Sequence, residues 1–158
     1  MVVQRRTSLV VSALLVAVTS VVLVPGAAPV AADSGCPAIV APSQVSGVYE
    51  VDTAAKLQWI KDTNTAGALS NNYKLTANID MVGCTWSNGI GSYGQPGTPY
   101  TGTFDGNSKT ISNLTISGGT AQNLGLFDYL NGSVSDLTLA SPSVSGTNDW
   151  KGSLAGRV

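Results

Sequence analysis

Two similar segments decide the predicted fold: ISNLTI at residues 111–116 and VSDLTL at residues 134–139. Their apolar residues stand at the same three places, so that Val134 in the second segment corresponds to Ile111 in the first. Short strand-like runs separated by Gly and Asn surround them, and no run between them has the length and period of a crossover helix. Stacked coils would align such repeats as continuous apolar rows in the interior. The sequence therefore predicts an all-β fold, a short parallel β-helix.

The repeat also predicts a register, because equivalent residues of successive coils lie on one another. The predicted pairs are Ile111 with Val134, Leu114 with Leu137, and Ile116 with Leu139. At about 22 residues per coil, the chain from residue 73 onward makes roughly three to four turns. The sequence stops inside a repeat, without the polar cap that ends a solenoid, so we expect the β-helix to be truncated at its C-terminus.

The composition excludes several classes of function. Only 11% of the 158 residues are charged, His is absent, and the formal net charge is −1. Without His the chain lacks the commonest general base and the commonest metal ligand, which argues against a His-dependent hydrolase and a zinc protein. Without a basic surface it has no field to hold nucleic acid. We predict no metal, no cofactor and no nucleic-acid partner.

The segment 1–32 has the features of a secretory signal peptide. Arg5 and Arg6 form a positive start, residues 9–24 are an apolar run, and VAA at residues 30–32 supplies the small residues that a signal peptidase reads. We predict cleavage after Ala32, export by the general secretory route, and no membrane span in the mature chain. An uncleaved anchor is the alternative, although the run is shorter than the ~20 residues that a spanning helix needs.

Residues 33–47 show no apolar period and are predicted to be an extended leader segment. Cys36 and Cys84 are the only cysteines. In an exported protein two cysteines indicate one disulfide, which would tie this segment to the loop after Asp80. The alternative is two unpaired thiols. In either case we expect these residues to carry no chemistry.

Residues 48–158 form the predicted β-helix domain, and its N-terminal part contains one helix. Residues 53–62 (TAAKLQWIKD) place Leu57 and Ile60 on one apolar stripe. Asp52 is positioned to act as the N-cap. We expect this helix to form a small cap over the N-terminal end of the stacked coils.

The chain resembles the bacterial GLUG-motif proteins in a set of short motifs spread over about residues 49–156. The motifs are YKLTANID at 73–80, W at 86 with IG at 90–91, YTGTFDGN at 100–107, ISNLTI at 111–116, LGLF at 124–127, SVSG at 143–146 and GSLAG at 152–156. The chain departs from the usual pattern at residues 108–109, at Asp128 and at Ser153. The resemblance implies a right-handed parallel β-helix in a secreted or surface protein, an adhesion-associated role, and no catalytic residues to transfer.

Aromatic residues in a Gly-rich loop form the best candidate binding site. Trp86, Tyr93 and Tyr100 lie within residues 83–101, and exposed rings on such a loop could stack on sugar rings. The alternative is that Trp86 and Tyr100 are buried framework residues. Two further segments, at 113–115 (NLT) and 131–133 (NGS), match the N-glycosylation acceptor pattern, which matters only in a host that glycosylates them.

The acidic residues do not form an obvious catalytic pair. They are scattered along the chain at Asp80, Asp105, Asp128, Asp136 and Asp149. Glycosidase chemistry needs two carboxylates roughly 5–10 Å apart across the scissile bond, and no repeat places two acids at one level. We therefore predict that the protein is not an enzyme.

Together these observations predict a non-enzymatic secreted or cell-surface module, structural or adhesive, from the N-terminal part of a larger surface protein. The first alternative is a glycan-binding or glycan-cleaving β-helix protein that uses residues 83–101. The second is a passive N-terminal segment of a larger enzyme. The expected partners are a surface polysaccharide or another cell-surface protein, and an open last coil could pair end to end with a second copy.

Overall fold

The computed structural model of the protein describes residues 33–92, 97–147 and 149–158, and the predicted signal peptide lies outside them. Two helices, α1 (Ala54–Thr63) and α2 (Ala66–Ser70), lie between the second and third strands. The strands in chain order are β1 (Ser43–Val45), β2 (Val48–Val51), β3 (Tyr73–Leu75), β4 (Ile79–Asp80), β5 (Thr85–Trp86), β6 (Thr103–Ser112), β7 (Thr115–Ser117), β8 (Phe127–Tyr129), β9 (Ser133–Ala140), β10 (Ser143–Ser145) and β11 (Ala155–Arg157). Strands predominate, which confirms the predicted all-β class.

The strands form three sheets. The large sheet has the order β1-β2-β3-β6-β4 with β9 also paired to β6, the second is β10-β7-β5, and the third is β11-β8. The β1–β2 pair is antiparallel, and every other pair of these strands is parallel. The chain visits the three sheets in a constant order. Strands β6, β7 and β8 lie in the first, second and third sheet respectively, and strands β9, β10 and β11 then follow the same order beside them.

The register between successive passes differs from the predicted one. In the structure the corresponding pairs are Ile111 with Leu139, Ile116 with Val144, Phe104 with Val134, and Lys109 with Leu137. Each pass of the chain is therefore longer than the offset between the two similar segments. The three predicted stacking pairs are wrong.

The cause is that the two similar segments do not occupy equivalent places. Residues 111–116 turn a corner between β6 and β7 at Asn113, whose φ is 57°. Residues 134–139 lie inside β9, and the matching corner comes later, at Ser141 with a φ of 52°. Alternating apolar residues look alike in a straight strand and in a strand that turns, so the pattern alone does not locate the corner.

The core is a cluster of buried apolar side chains contributed by all three sheets. A series of aromatic contacts runs through it from one pass of the chain to the next. The ring centroids lie 5.5 Å apart for Tyr49 and Tyr73, 6.2 Å for Tyr73 and Tyr100, 5.0 Å for Tyr100 and Phe127, and 5.6 Å for Phe104 and Phe127. Such tilted and edge-on pairs stabilise a core beyond the area they bury.

Helix α1 confirms the predicted helix and shifts each end by one residue. Thr53 is the N-cap rather than Asp52, because its hydroxyl accepts a hydrogen bond from the Lys56 amide at 3.3 Å. Asp52 instead pairs with the Lys56 ammonium at 2.9 Å. Leu57 and Ile60 are fully buried in the core, as the apolar stripe predicted. Helix α2 was not predicted, since its five residues are too few to show a helical period. Among the described residues, no helix is long and apolar enough to cross a membrane.

The segment before β2 is held to the domain by covalent and backbone contacts. Cys36 and Cys84 form a disulfide across 48 residues of chain, as predicted. Ser34 exchanges two backbone hydrogen bonds with Thr85, at 3.0 and 2.9 Å. Strand β1 falls within the predicted leader, residues 33–47, and forms a hairpin with β2 that the sequence pattern did not indicate.

Candidate functional site

The aromatic loop at residues 83–101 contributes to the framework of the core. Trp86 and Tyr100 are both 0% exposed, so neither ring surface faces solvent. The hydroxyl of Tyr100 donates to the Asn71 carbonyl at 3.0 Å. The third candidate of this loop, Tyr93, lies outside the described residues. The buried-framework alternative thus accounts for Trp86 and Tyr100.

Two tyrosine hydroxyls in the core act as neutral hydrogen-bond donors. Burial raises the pKa of Tyr73 to about 12 and raises the pKa of Tyr100 further above its ordinary value. The Tyr73 hydroxyl donates to the carbonyl of Ala68, in the middle of α2, at 2.9 Å. Both phenols therefore join the helical segment to the sheets, and neither is a candidate acid or base at ordinary pH.

A polar cluster at the α1 end of the core is centred on Asp33. Its carboxylate accepts hydrogen bonds from the Gln58 amide at 2.7 Å, from the Ser87 backbone amide at 2.7 Å and from the Lys61 ammonium. Lys61 also pairs with Asp62 at 2.8 Å. Burial alone would raise the pKa of Asp33, but the hydrogen bonds from Lys61, Ser87 and Gln58 together hold it below its ordinary value.

This cluster contacts the candidate loop through Trp86. The Lys61 ammonium lies 5.8 Å from the centroid of the Trp86 ring, which is within the range of a cation–π interaction. The indole N–H of Trp86 has no hydrogen-bond partner among the described residues. The sequence pattern did not predict this cluster, although two polar residues of α1, Gln58 and Lys61, directly follow apolar core positions and were a usable signal.

Asp128, on strand β8, is a buried acid. Its side chain is 4% exposed and accepts the Gly89 backbone amide at 2.8 Å, with a further backbone hydrogen bond from Gly125. Desolvation raises the pKa of Asp128 to about 7, and these two hydrogen bonds and the charge of Lys61 limit the rise. The carboxyl holds the turn before Ile90 against the strand β8.

The scattered acids have separate surroundings. Asp80 accepts from the Asn113 amide at 2.8 Å, and Asp105 lies 3.6 Å from the Lys74 ammonium. Asp128 is buried beside Gly89. Within the described ranges, no three His, Cys, Asp or Glu residues lie close enough together to hold a metal ion.

A shallow cleft on the large sheet is lined by both polar and apolar groups. Its volume is about 310 Å³, and its lining residues are Val48, Asn72, Tyr73, Lys74, Thr103 and Asp105. Lys74 and Asp105 are direct neighbours on β3 and β6 and supply a cation and a carboxylate. The Asn72 side-chain oxygen accepts the Thr103 amide at 3.1 Å. The sequence pattern did not predict this cleft, because strands distant along the chain supply its residues.

Comparison with known proteins gives one partial likeness. In an alignment of 106 residues that covers 64% of the chain, the chain is 39% identical to Halomucin from Haloquadratum walsbyi. The chain spans about 1% of the length of Halomucin. No family model matches the chain, and no solved structure matches it.

Proposed function

We propose that this chain is a non-enzymatic extracellular module, structural or adhesive, built as a short right-handed parallel β-helix within a larger surface protein. The observation that carries the proposal is the constant order in which the chain visits the three sheets, with each strand of the last pass parallel to its partner in the pass before. Stacking of this kind buries an apolar interior with short strands and leaves outward side chains free to vary. The right-handed sense is part of the proposal and rests on the usual handedness of parallel crossovers.

Composition and covalent structure support an extracellular location. The chain is poor in charge, carries a disulfide, and has an N-terminal segment with the pattern of a signal peptide. The partial likeness to Halomucin and the resemblance to GLUG-motif proteins agree with a surface module. In this proposal α1 and α2 form the N-terminal cap of the helix.

The opposite edge of the stack supports end-to-end self-association. Strands β9, β10 and β11 each pair on one side only among the described strands. Apolar side chains of this last pass are only partly buried, among them Val134, Leu139 and Val144. An unpaired edge of this kind can pair with another chain. Sedimentation over a concentration series tests this, and a monomer at every concentration would contradict it.

Glycan binding is the second candidate, and the cleft favours it over the aromatic loop. The cleft offers an ammonium, a carboxylate and a hydroxyl beside the apolar side chain of Val48, a combination suited to sugar hydroxyls and a C–H face. Titration with surface polysaccharides should show binding that Lys74→Ala weakens. Binding unaffected by Lys74→Ala would place the ligand elsewhere.

The main proposal is tested with the exported chain. Cells that produce it are fractionated, and the purified protein is assayed both for adhesion to their surface polysaccharide and for release of reducing sugar ends. Adhesion without release is expected, and disulfide-reduced, unfolded protein serves as the control. Release of reducing ends that Asp105→Asn or Asp128→Asn abolishes would overturn the non-enzymatic assignment.

A further inference from the structure

Two surface segments carry the acceptor pattern for N-linked glycans, and the structure distinguishes them. Asn113 and Asn131 are both exposed. A glycan is attached through the side-chain nitrogen Nδ2, so the attachment site needs an amide that is not already engaged by the fold. The surroundings of the two amides differ in this respect.

The Asn113 amide is a structural element of a corner. Its Nδ2 donates to the Asp80 carboxylate at 2.8 Å, and its backbone amide donates to the Ala140 carbonyl at 3.0 Å. The hydrogen bond from Asn113, together with one from the Val82 amide, holds the pKa of Asp80 below its ordinary value. Its φ of 57° is a left-handed conformation that Asn adopts more readily than most residues. A glycan on this nitrogen would compete with the contact between two passes of the chain.

The Asn131 amide has no such role. Its backbone is anchored, because its amide donates to the Tyr100 carbonyl at 2.8 Å and the Ser133 amide donates to the Gly102 carbonyl at 3.1 Å. Gly132 between them packs so closely on Gly102 that a Cβ would collide with the Gly102 carbonyl. The side-chain amide of Asn131, in contrast, makes no hydrogen bond to any described residue. A glycan there leaves every hydrogen bond of the corner intact.

We propose that Asn131 is an N-glycosylation site of the exported protein and that Asn113 stays unmodified. The donor is a polyprenyl-phosphate-linked oligosaccharide on the outer side of the membrane. Nδ2 forms a bond to the sugar C1 atom while the C1–O bond to the phosphate breaks. The proton lost from Nδ2 leaves with the phosphate group, so no other reactant is needed.

The test uses the chain secreted from a cell that N-glycosylates exported proteins. Cleavage before aspartate separates the two segments into peptides 105–127 and 128–135, and mass spectrometry reads each one. We expect a sugar mass on peptide 128–135 and none on peptide 105–127. Asn131→Gln and Ser133→Ala should both abolish it, and Ser133→Ala leaves the asparagine in place if Asn131→Gln impairs secretion.

A positive control verifies export and the glycosylation machinery independently of the proposal. Gln44→Asn, in the exposed strand β1, creates an N-glycosylation acceptor pattern together with Val45 and Ser46. The assay is run in a cell that modifies this variant. An unmodified peptide 128–135 in that cell overturns the proposal. A sugar mass on peptide 105–127 contradicts the selectivity for Asn131. The proposal rests on export, which the control reports, and is independent of adhesion.

Discussion

Replacing Asp128 by Asn removes a titrating carboxyl from the interior beside the third sheet. The unfolded chain binds a proton there with a pKa near 3.8, whereas burial raises the folded pKa to about 7. Between these values the folded protein holds a proton that the unfolded chain releases. Stability from this group is therefore complete below about pH 4 and is lost as pH rises to about 7.

The size of the effect follows from the difference between the two pKa values. At about 1.4 kcal/mol per pH unit, the difference corresponds to at most about 4 kcal/mol in the free energy of unfolding. Asp33 and Asp80 act in the opposite direction, because their pKa values in the folded protein are lowered. Their contribution to stability is complete above about pH 4 and is lost as the pH falls below that value. The window from about pH 5 to 8 thus isolates Asp128.

The assay is urea unfolding of both proteins at several pH values in that window. Asn at position 128 keeps an oxygen that accepts the Gly89 amide but cannot ionise, so Asp128→Asn should remove most of the decline in stability with rising pH. Above pH 7 the parent has lost up to about 4 kcal/mol from this group, and the variant does not suffer that loss. The variant carries a separate cost of roughly 1–3 kcal/mol for an unpaired amide N–H, so its free energy of unfolding there should equal or exceed that of the parent. Equal declines in both proteins, or a parent whose stability does not change with pH, would refute the reasoning.

Three other substitutions probe the elements that hold the domain together. Asp33→Asn removes one of the two carboxylates that pair with the buried Lys61 of α1 and should cost about 1.5–3 kcal/mol in urea unfolding, with less stability lost in acid than in the parent. Replacing Cys36 and Cys84 by Ser should lower the free energy of unfolding by up to about 4 kcal/mol, and an unchanged midpoint would show that the bridge does not restrict the unfolded chain. Gly89→Ala should cost more than about 3 kcal/mol, because its Cβ would meet backbone oxygens of the neighbouring turn. The control Gly67→Ala, in α2 with open space around it, should stabilise by about 0.5–1 kcal/mol.

The features that sequence alone determined are local ones. Short apolar alternation predicted a strand-rich fold, the Leu57–Ile60 stripe predicted α1, and two cysteines predicted one bridge. Each depends on residues close in sequence or on a pairing with only one possible partner. The sequence could not decide whether Asp52 or Thr53 is the N-cap of α1, since either side chain can accept a hydrogen bond from a backbone amide. Secretion of the chain remains a prediction from the pattern of the segment 1–32.

Tertiary structure alone decided the register, the burial of the aromatic loop and the surroundings of each carboxyl. The register depends on where the chain turns, and the irregularity between Asp105 and Lys109 changes the length of a pass without changing the apolar alternation. Trp86 and Tyr100 are polar-tipped rings whose composition suits either a binding surface or a core, and only the contacts of distant strands place them inside. Asp128 becomes unusual because Gly89, 39 residues away, lies against it. Such properties depend on which distant residues exclude water from one another, and a linear pattern does not contain that information.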